Sequence, residues 1–345
     1  MKKTVTLLLA SALFLFTLTG CMKASENNTD PFATQTSEST ATTASSPNTD
    51  STLEQASPVS DFRYEITNEN EVTILSYGGN DTEVIIPSHI EDNPVTEIGL
   101  AAFYLNSQIV SVVIPDSVKF IGHDAFGKCT SLQTVVLSAN LTAIDVLAFE
   151  YCESLSNIKL PESLTSIGYR AFANCTSLKH ISIPGNCLNE NSGECFADSG
   201  LESVQLKEGV SIIPASAFLR TKIKEIILPS TVKNIEDGAL ATGCLKSVQL
   251  NEGLEIIAMT AFSSNPLTEI VIPKTVISCS EYSFTDCESL IAIKFEGDAP
   301  KDFLCESDLL NEIFAQSPIN FTIFYHQEAQ GFTSPTWHGY ETDIW

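Results

Sequence analysis

From Phe103 onward the apolar positions of the chain recur about every 23 residues. Phe103, Phe126, Phe149, Phe172, Phe196, Phe218, Leu240, Phe262 and Phe284 stand 22 to 24 residues apart, usually preceded by Ala. Five or six residues after most of them, a Leu opens a short alternating stretch, as in Leu155-Ser-Asn-Ile158-Lys-Leu160 and Leu178-Lys-His-Ile181-Ser-Ile183. Alternation with a period of two predicts a strand with one buried face. Pro115, Pro161, Pro184, Pro229 and Pro273 close several of these stretches, and proline, with no N–H for a ladder, ends a strand. A second apolar pair three residues apart follows, for instance Leu141/Ile144, Leu164/Ile167 and Val232/Ile235.

Each period therefore predicts one coil of a solenoid: a short strand, then a looser arc carrying the Ile and the Ala-Phe pair into the core. A coil buries about six apolar side chains at ~1.5–3 kcal/mol each. Ordering its backbone costs ~1–2 kcal/mol per residue, so a coil holds together only in a stack. The expected fold is a β-rich solenoid, a right-handed stack of about nine coils of 22–24 residues with one parallel sheet. The repeats occupy 99–295, between an N-terminal cap at 61–98 and a C-terminal cap at 296–345. The stretch GNCLNENSGE (185–194) lacks the usual Leu/Ile pair, so the coil between Pro184 and Phe196 is expected to bulge.

The N-terminus follows another rule. Lys2 and Lys3 precede an apolar run from Val5 to Leu18, the layout of a signal peptide, and the run is short for a membrane span. It ends Leu18-Thr19-Gly20-Cys21, which resembles the bacterial lipobox, with the Cys21 thiol as the acyl acceptor. Residues 1–20 then form a lipoprotein signal peptide, and 21–60, rich in Ser and Thr, a disordered tether. The resulting location is outside the cell, anchored by lipid to the outer face of a bacterial membrane. Each buried methylene of such an anchor contributes ~0.8 kcal/mol.

Charge narrows the function. With 18 Lys+Arg against 43 Asp+Glu, the net charge of −25 repels phosphate backbones and excludes nucleic acid as a partner. The ten cysteines contain no CxxC pair. Cys129, Cys152 and Cys175 stand three residues after the Phe of successive coils and are expected to stack as a buried ladder, whose parallel side chains do not converge on a disulfide; Cys287 takes the same place near the end. Cys187 and Cys195 flank the irregular stretch and are the best disulfide candidates. No HExxH, GxSxG, GxGxxG or P-loop is present, and neither a catalytic residue, a metal nor a cofactor is expected.

Alternation also identifies the outward strand positions. Lys159, His180, Ser182, Gln205, Ile227 and Gln249 lie in the two outward columns and are the candidate ligand-binding residues, since the sheet face of a solenoid is its extended binding surface. Those columns run from Ser111 and Val113 to Ala292 and Lys294 and carry few charges. Aromatic residues gather at the C-terminus, at Phe321, Phe324, Tyr325, Phe332, Trp337, Tyr340 and Trp345. They suit the core of a small cap, with a sugar-stacking platform as the alternative.

The run LTSIGYRAFANCTSLKHISIP (164–184) resembles the repeat of the BspA-like leucine-rich-repeat family of bacterial surface proteins. Residues 62–103, FEGDAP at 295–300 and the segment 321–340 are similar to that family's opening and closing segments. The resemblance implies a non-enzymatic surface lipoprotein that adheres to host or neighbouring-cell macromolecules, its partner an extracellular protein or glycoprotein. A glycan-capture lipoprotein using the aromatic cap, or a cryptic hydrolase, are the alternatives.

Overall fold

The computed structural model describes residues 55–280, 282–303, 314, 318 and 320–345. Cys21, the signal peptide and most of the expected tether lie outside the described residues. The repeats stack as a β-solenoid of about 11 turns. One column of strands includes Glu83–Ile85, Ser111–Val113, Thr134–Val136, Asn157–Ile158, His180–Ile183, Ser203–Leu206, Glu225–Ile227, Ser247–Gln249, Glu269–Ile272, Ala292–Phe295, Thr322–Tyr325 and Tyr340–Ile344. Register is kept from coil to coil: Ser111 lies opposite Thr134, Ile181 opposite Val204, and Val271 opposite Lys294. The turns exceed the expected nine because parallel pairing extends beyond the Phe repeat, to Glu83–Ile85 at one end and Thr322–Tyr325 at the other.

The expected single sheet is corrected by a second column. The arcs contribute two-residue strands, Phe120–Ile121, Ala143–Ile144 and Ser166–Ile167 in one block and Ile212–Ile213, Asn234–Ile235, Ile256–Ile257 and Ser278–Cys279 in another. These also pair in parallel, Ile121 with Ile144 and Ile235 with Ile257. Where the second Ile of each coil is driven inward, the adjoining peptide groups must be paired, and the same groups of the next coil stand at the same height.

The rest of the arc is ordered by the same demand. Two residues before and two after each Phe the backbone turns left-handed: Asp124 (φ 55°) and Lys128 (φ 60°) around Phe126, Arg170 (φ 55°) and Asn174 (φ 61°) around Phe172. Between these bends the Phe N–H donates to the carbonyl of the residue preceding the next Phe, at 2.8 Å from Phe126 to Ala148 and 2.8 Å from Phe149 to Ala171. Neighbouring coils are thereby hydrogen-bonded through the arc and, within each block of paired strands, through the long and short strands as well. Inside, the rings stack from Phe103 to Phe218 with centroids 4.7 Å (Phe103–Phe126) to 5.8 Å (Phe196–Phe218) apart. Leu240 interrupts the stack, which resumes at Phe262–Phe284 with 5.2 Å.

The coil from Pro184 to Phe196 is irregular but loses no core. Cys187 and Leu188 are buried in place of the missing Leu/Ile pair. The buried Ser192 hydroxyl donates to the Ile167 carbonyl at 2.6 Å and accepts the Asn189 N–H at 3.1 Å. Cys187 and Cys195, the best disulfide candidates, are not joined; both thiols are free and buried, and that of Cys187 donates to the Pro184 carbonyl at 3.1 Å.

Both ends differ from the repeats. Phe62–Ile66 and Val72–Tyr77 form an antiparallel hairpin whose second strand pairs in parallel with Asn93–Ile98. Ser57, within the expected tether, is buried: its N–H donates to the Ile85 carbonyl at 2.9 Å, and its hydroxyl accepts the Ile85 N–H at 3.1 Å. At the other end Thr336–Trp337 turns back antiparallel on Tyr340–Ile344. Trp337 packs against Phe332 at 4.7 Å and Phe295 at 6.1 Å, which closes the core with rings.

Candidate binding face

The long-strand column positions the candidate residues. The inward residue of the strand is buried in most coils, as at Val112, Val135, Ile158 and Ile181, and half-buried at Val204 and Val248, and pleating turns its neighbours outward. Lys159, His180, Gln205, Ile227 and Gln249 are exposed and Ser182 is half-buried. Val136 (51%) and Ile227 (67%) are the most exposed aliphatic side chains on this face. Ala292, expected to face outward, is buried, because its register neighbours Glu269 and Thr322 are longer and shade it.

The centre of the face is hydrogen-bonded to itself. His180 Nδ1 lies 2.7 Å from the Ser203 hydroxyl, and the Ser182 hydroxyl donates to Gln205 Oε1 at 3.0 Å. Toward the C-terminal end Lys294 Nζ is held 2.8 Å from Glu269 Oε2. Two depressions open along the strand exits. One, of about 530 Å³, is lined by Thr134, Val136, Asn157, Lys159, Pro161 and neighbours. At its rim Glu162 pairs with Lys207. The other, of about 510 Å³, is lined by Gln249, Asn251, Glu252, Val271 and Glu296 among others. Burial, and then the adjacent Glu252 carboxyl, hold the Glu296 carboxyl above the ordinary carboxylate range.

The cysteine ladder is structural. The thiols of Cys129, Cys152 and Cys175 donate to the carbonyls of Phe103, Phe126 and Phe149 at 3.0, 3.1 and 3.2 Å. Burial pushes the Cys129 thiol up to about 12 and that of Cys287 to about 11, so neither is a nucleophile at neutral pH. Among the described residues no group of three or more His, Cys, Asp or Glu is placed to hold a metal ion. Sequence reasoning missed that the column continues through residues other than cysteine. Thr221 donates to the Phe218 carbonyl at 3.0 Å, and Asn265 Nδ2 to those of Leu240 and Phe262 at 2.7 and 2.8 Å. The signal was available: each stands three residues after the repeat's Phe.

The aromatic terminus divides. Trp337 is buried at 5% exposure, which leaves it no face for a sugar, whereas Trp345 is 44% exposed and stacks on His326 at 5.0 Å.

Comparison with known proteins places this geometry. No curated protein sequence matches the chain. A leucine-rich repeat protein from Bacteroides ovatus ATCC 8483 is similar in fold, with a TM-score of 0.60 and 22% identity over 83% of this chain and 75% of that one. A leucine rich cell surface protein from Faecalibacterium prausnitzii A2-165 aligns with a TM-score of 0.49 and 21% identity, over 84% of this chain and 98% of its own. The leucine rich repeat protein of T. pallidum aligns with 28% identity and a TM-score of 0.48, over 61% of this chain and 89% of its own. These relatives are repeat proteins, and no catalytic family is among them. The model of the BspA type leucine rich repeat region matches residues 96–221 and 211–325 in six copies. With its strands, arcs and ring stack in that repeat, the chain belongs to the BspA-type leucine-rich repeat family.

Proposed function

We propose that the chain is a non-enzymatic, exported protein, anchored by lipid at Cys21, whose strand face binds an extracellular protein or glycoprotein of a host or neighbouring cell. The observation that carries this reading is the strand face itself. It is continuous across the coils, its outward residues are mainly small, polar or aliphatic, and it bears few charges in a chain of net charge −25. A surface of this kind engages a macromolecule through many shallow contacts, not a small molecule in a deep pocket. The domain order, with a signal peptide at 1–20, a tether at 21–60 and the repeats at 99–295 between caps, belongs to the same proposal.

A bulky residue tests the face better than alanine, since loss of one shallow contact is easily absorbed. In a screen of the purified chain against host glycoproteins, Gln205→Trp and Gln249→Trp weaken attachment at least ~10-fold. Met259→Trp, placed on the exposed arc, leaves it unchanged. Loss of attachment in the arc variant alone overturns the assignment to the strand face. For the anchor, Cys21→Ser abolishes incorporation of labelled palmitate and releases the protein from the membrane fraction; undiminished labelling would falsify the lipoprotein reading.

A further inference from the structure

Polar side chains on the strand face are of two kinds. Those of His180, Ser203, Ser182 and Gln205 satisfy one another across coils. Those of Thr134, Asn157 and Lys159 have no hydrogen-bond or ion-pair partner among the described residues. All three line the depression of about 530 Å³, together with the exposed Val136 and with Pro161. Thr134 and Asn157 are opposite each other in adjacent strands, ~4.8 Å apart, and Lys159 follows two residues later on the same side.

Among the described residues Lys159 shares its lack of an ion pair with other surface lysines such as Lys222, Lys224 and Lys246, and what sets it apart is its place in this depression. Glu162, three residues further on and lining the same depression, pairs instead with Lys207 from the coil two turns away. The depression therefore offers three kinds of unengaged donor, an ammonium, an amide and a hydroxyl, beside an aliphatic wall. Donors around a cation select an acceptor-rich anion. The wall of Val136, Leu137, Ala139 and Pro161 selects an apolar neighbour of that anion, which a sugar acid does not possess. The face continues on both sides, to Val113 in one direction and Ser182 in the other, so a bound segment passes through and presents an internal side chain.

We infer that this depression receives an aspartate or glutamate side chain flanked by an aliphatic residue in the protein that docks on the strand face. Lys159, Asn157 and Thr134 donate to the carboxylate, and Val136 and Pro161 cover the apolar neighbour. The chain's overall negative charge repels acidic ligands at a distance, so recognition depends on contact and on the apolar partner. This inference rests on the proposal that the strand face is the binding surface.

The test uses short probes and the full chain labelled with ¹³C in its valine methyls, the Val136 signals being assigned by Val136→Ala. Acetyl-Leu-Glu-Leu-amide is titrated to ~10 mM, where a millimolar affinity registers. It is compared with acetyl-Leu-Gln-Leu-amide and with glucuronate. The Glu peptide is expected to shift the Val136 methyls saturably, and Lys159→Met to weaken it ~10-fold, the scale of a charge-assisted hydrogen bond, while the weaker Gln peptide is unaffected by that change. Equal binding of the Gln and Glu peptides, binding of glucuronate in place of the peptide, or no shift with any probe would each overturn the inference. Gln205→Trp separates the two levels: if it blocks attachment of a screened glycoprotein while the peptides fail, the strand face stands as the binding surface and the carboxylate site falls.

Discussion

The coils built on Phe126, Phe149 and Phe172 and the coil built on Leu240 meet the same requirement with different chemistry. In the first group a cysteine three residues after the ring donates one weak bond to the carbonyl of the preceding Phe, and the rings stack at 5.1 and 5.2 Å. Around Leu240 the ring is gone, and Asn265 of the following coil takes over. Its amide donates to the Leu240 and Phe262 carbonyls, while its oxygen accepts from the Thr242 hydroxyl at 2.9 Å, the Gly243 N–H at 3.1 Å and the Leu245 N–H at 3.0 Å. In both groups a donor is aimed at that carbonyl and the volume is filled. The arrangement does not demand a particular residue. One group is stabilised mainly by ring packing, the other by a satisfied polar network, and networks fail as units.

That contrast can be broken from either side. Phe172 is fully buried between two stacked rings, so Phe172→Ala leaves a cavity and lowers stability by ~3–5 kcal/mol, read as a lower denaturant midpoint. Lys159→Ala, on the surface, is the reference, with a change within ~0.5 kcal/mol. Equal midpoints for the two would show the coil phase to be wrong. Next in size is Asn265→Ala, which strands the Gly243 N–H and the two carbonyls it served and costs ~3 kcal/mol. A loss as small as that of a surface residue would mean that water replaces the network. The smallest effect belongs to the thiol ladder: Cys152→Ala removes one bond and one sulfur for ~1 kcal/mol. Because burial raises the Cys152 thiol well above its ordinary value, it resists iodoacetamide in the folded protein at pH 8 and reacts on unfolding. Rapid native labelling would show the ladder to be open.

The sequence exposed the coil but not all of its joints. Phe and Ala repeat so regularly that the ring stack and the buried Ile positions could be placed by counting. The second strand column was hidden because pairs such as Ala143–Ile144 are too short for an alternation to register. The left-handed bends were hidden because they fall on Ala101, Leu147 and Tyr151 as well as on Asp124 and Asn174, so no residue type marks the position. The extra turns escaped because no Ala-Phe pair precedes Glu83–Ile85 and none lies between Ala292–Phe295 and Thr322–Tyr325, although both strands pair like the rest. On the face, outward positions were legible from alternation. Which of them are already engaged was not, since Ser182 meets Gln205 and His180 meets Ser203 only when coils 23 residues apart are stacked.

Ser57 carries a consequence at the scale of assembly. A stack whose coils bond to their neighbours by recurring groups resembles a one-dimensional crystal, and its two end faces are growth faces. Ser57 occupies the backbone groups of Ile85 at one face, and the reversal of Thr336–Trp337 onto Tyr340–Ile344 covers the other. Those few residues act as chain terminators. Where both are kept, duplicating a coil lengthens a monomer by one row; where either is lost, the same addition rule admits coils from other molecules, and the protein becomes the subunit of a filament.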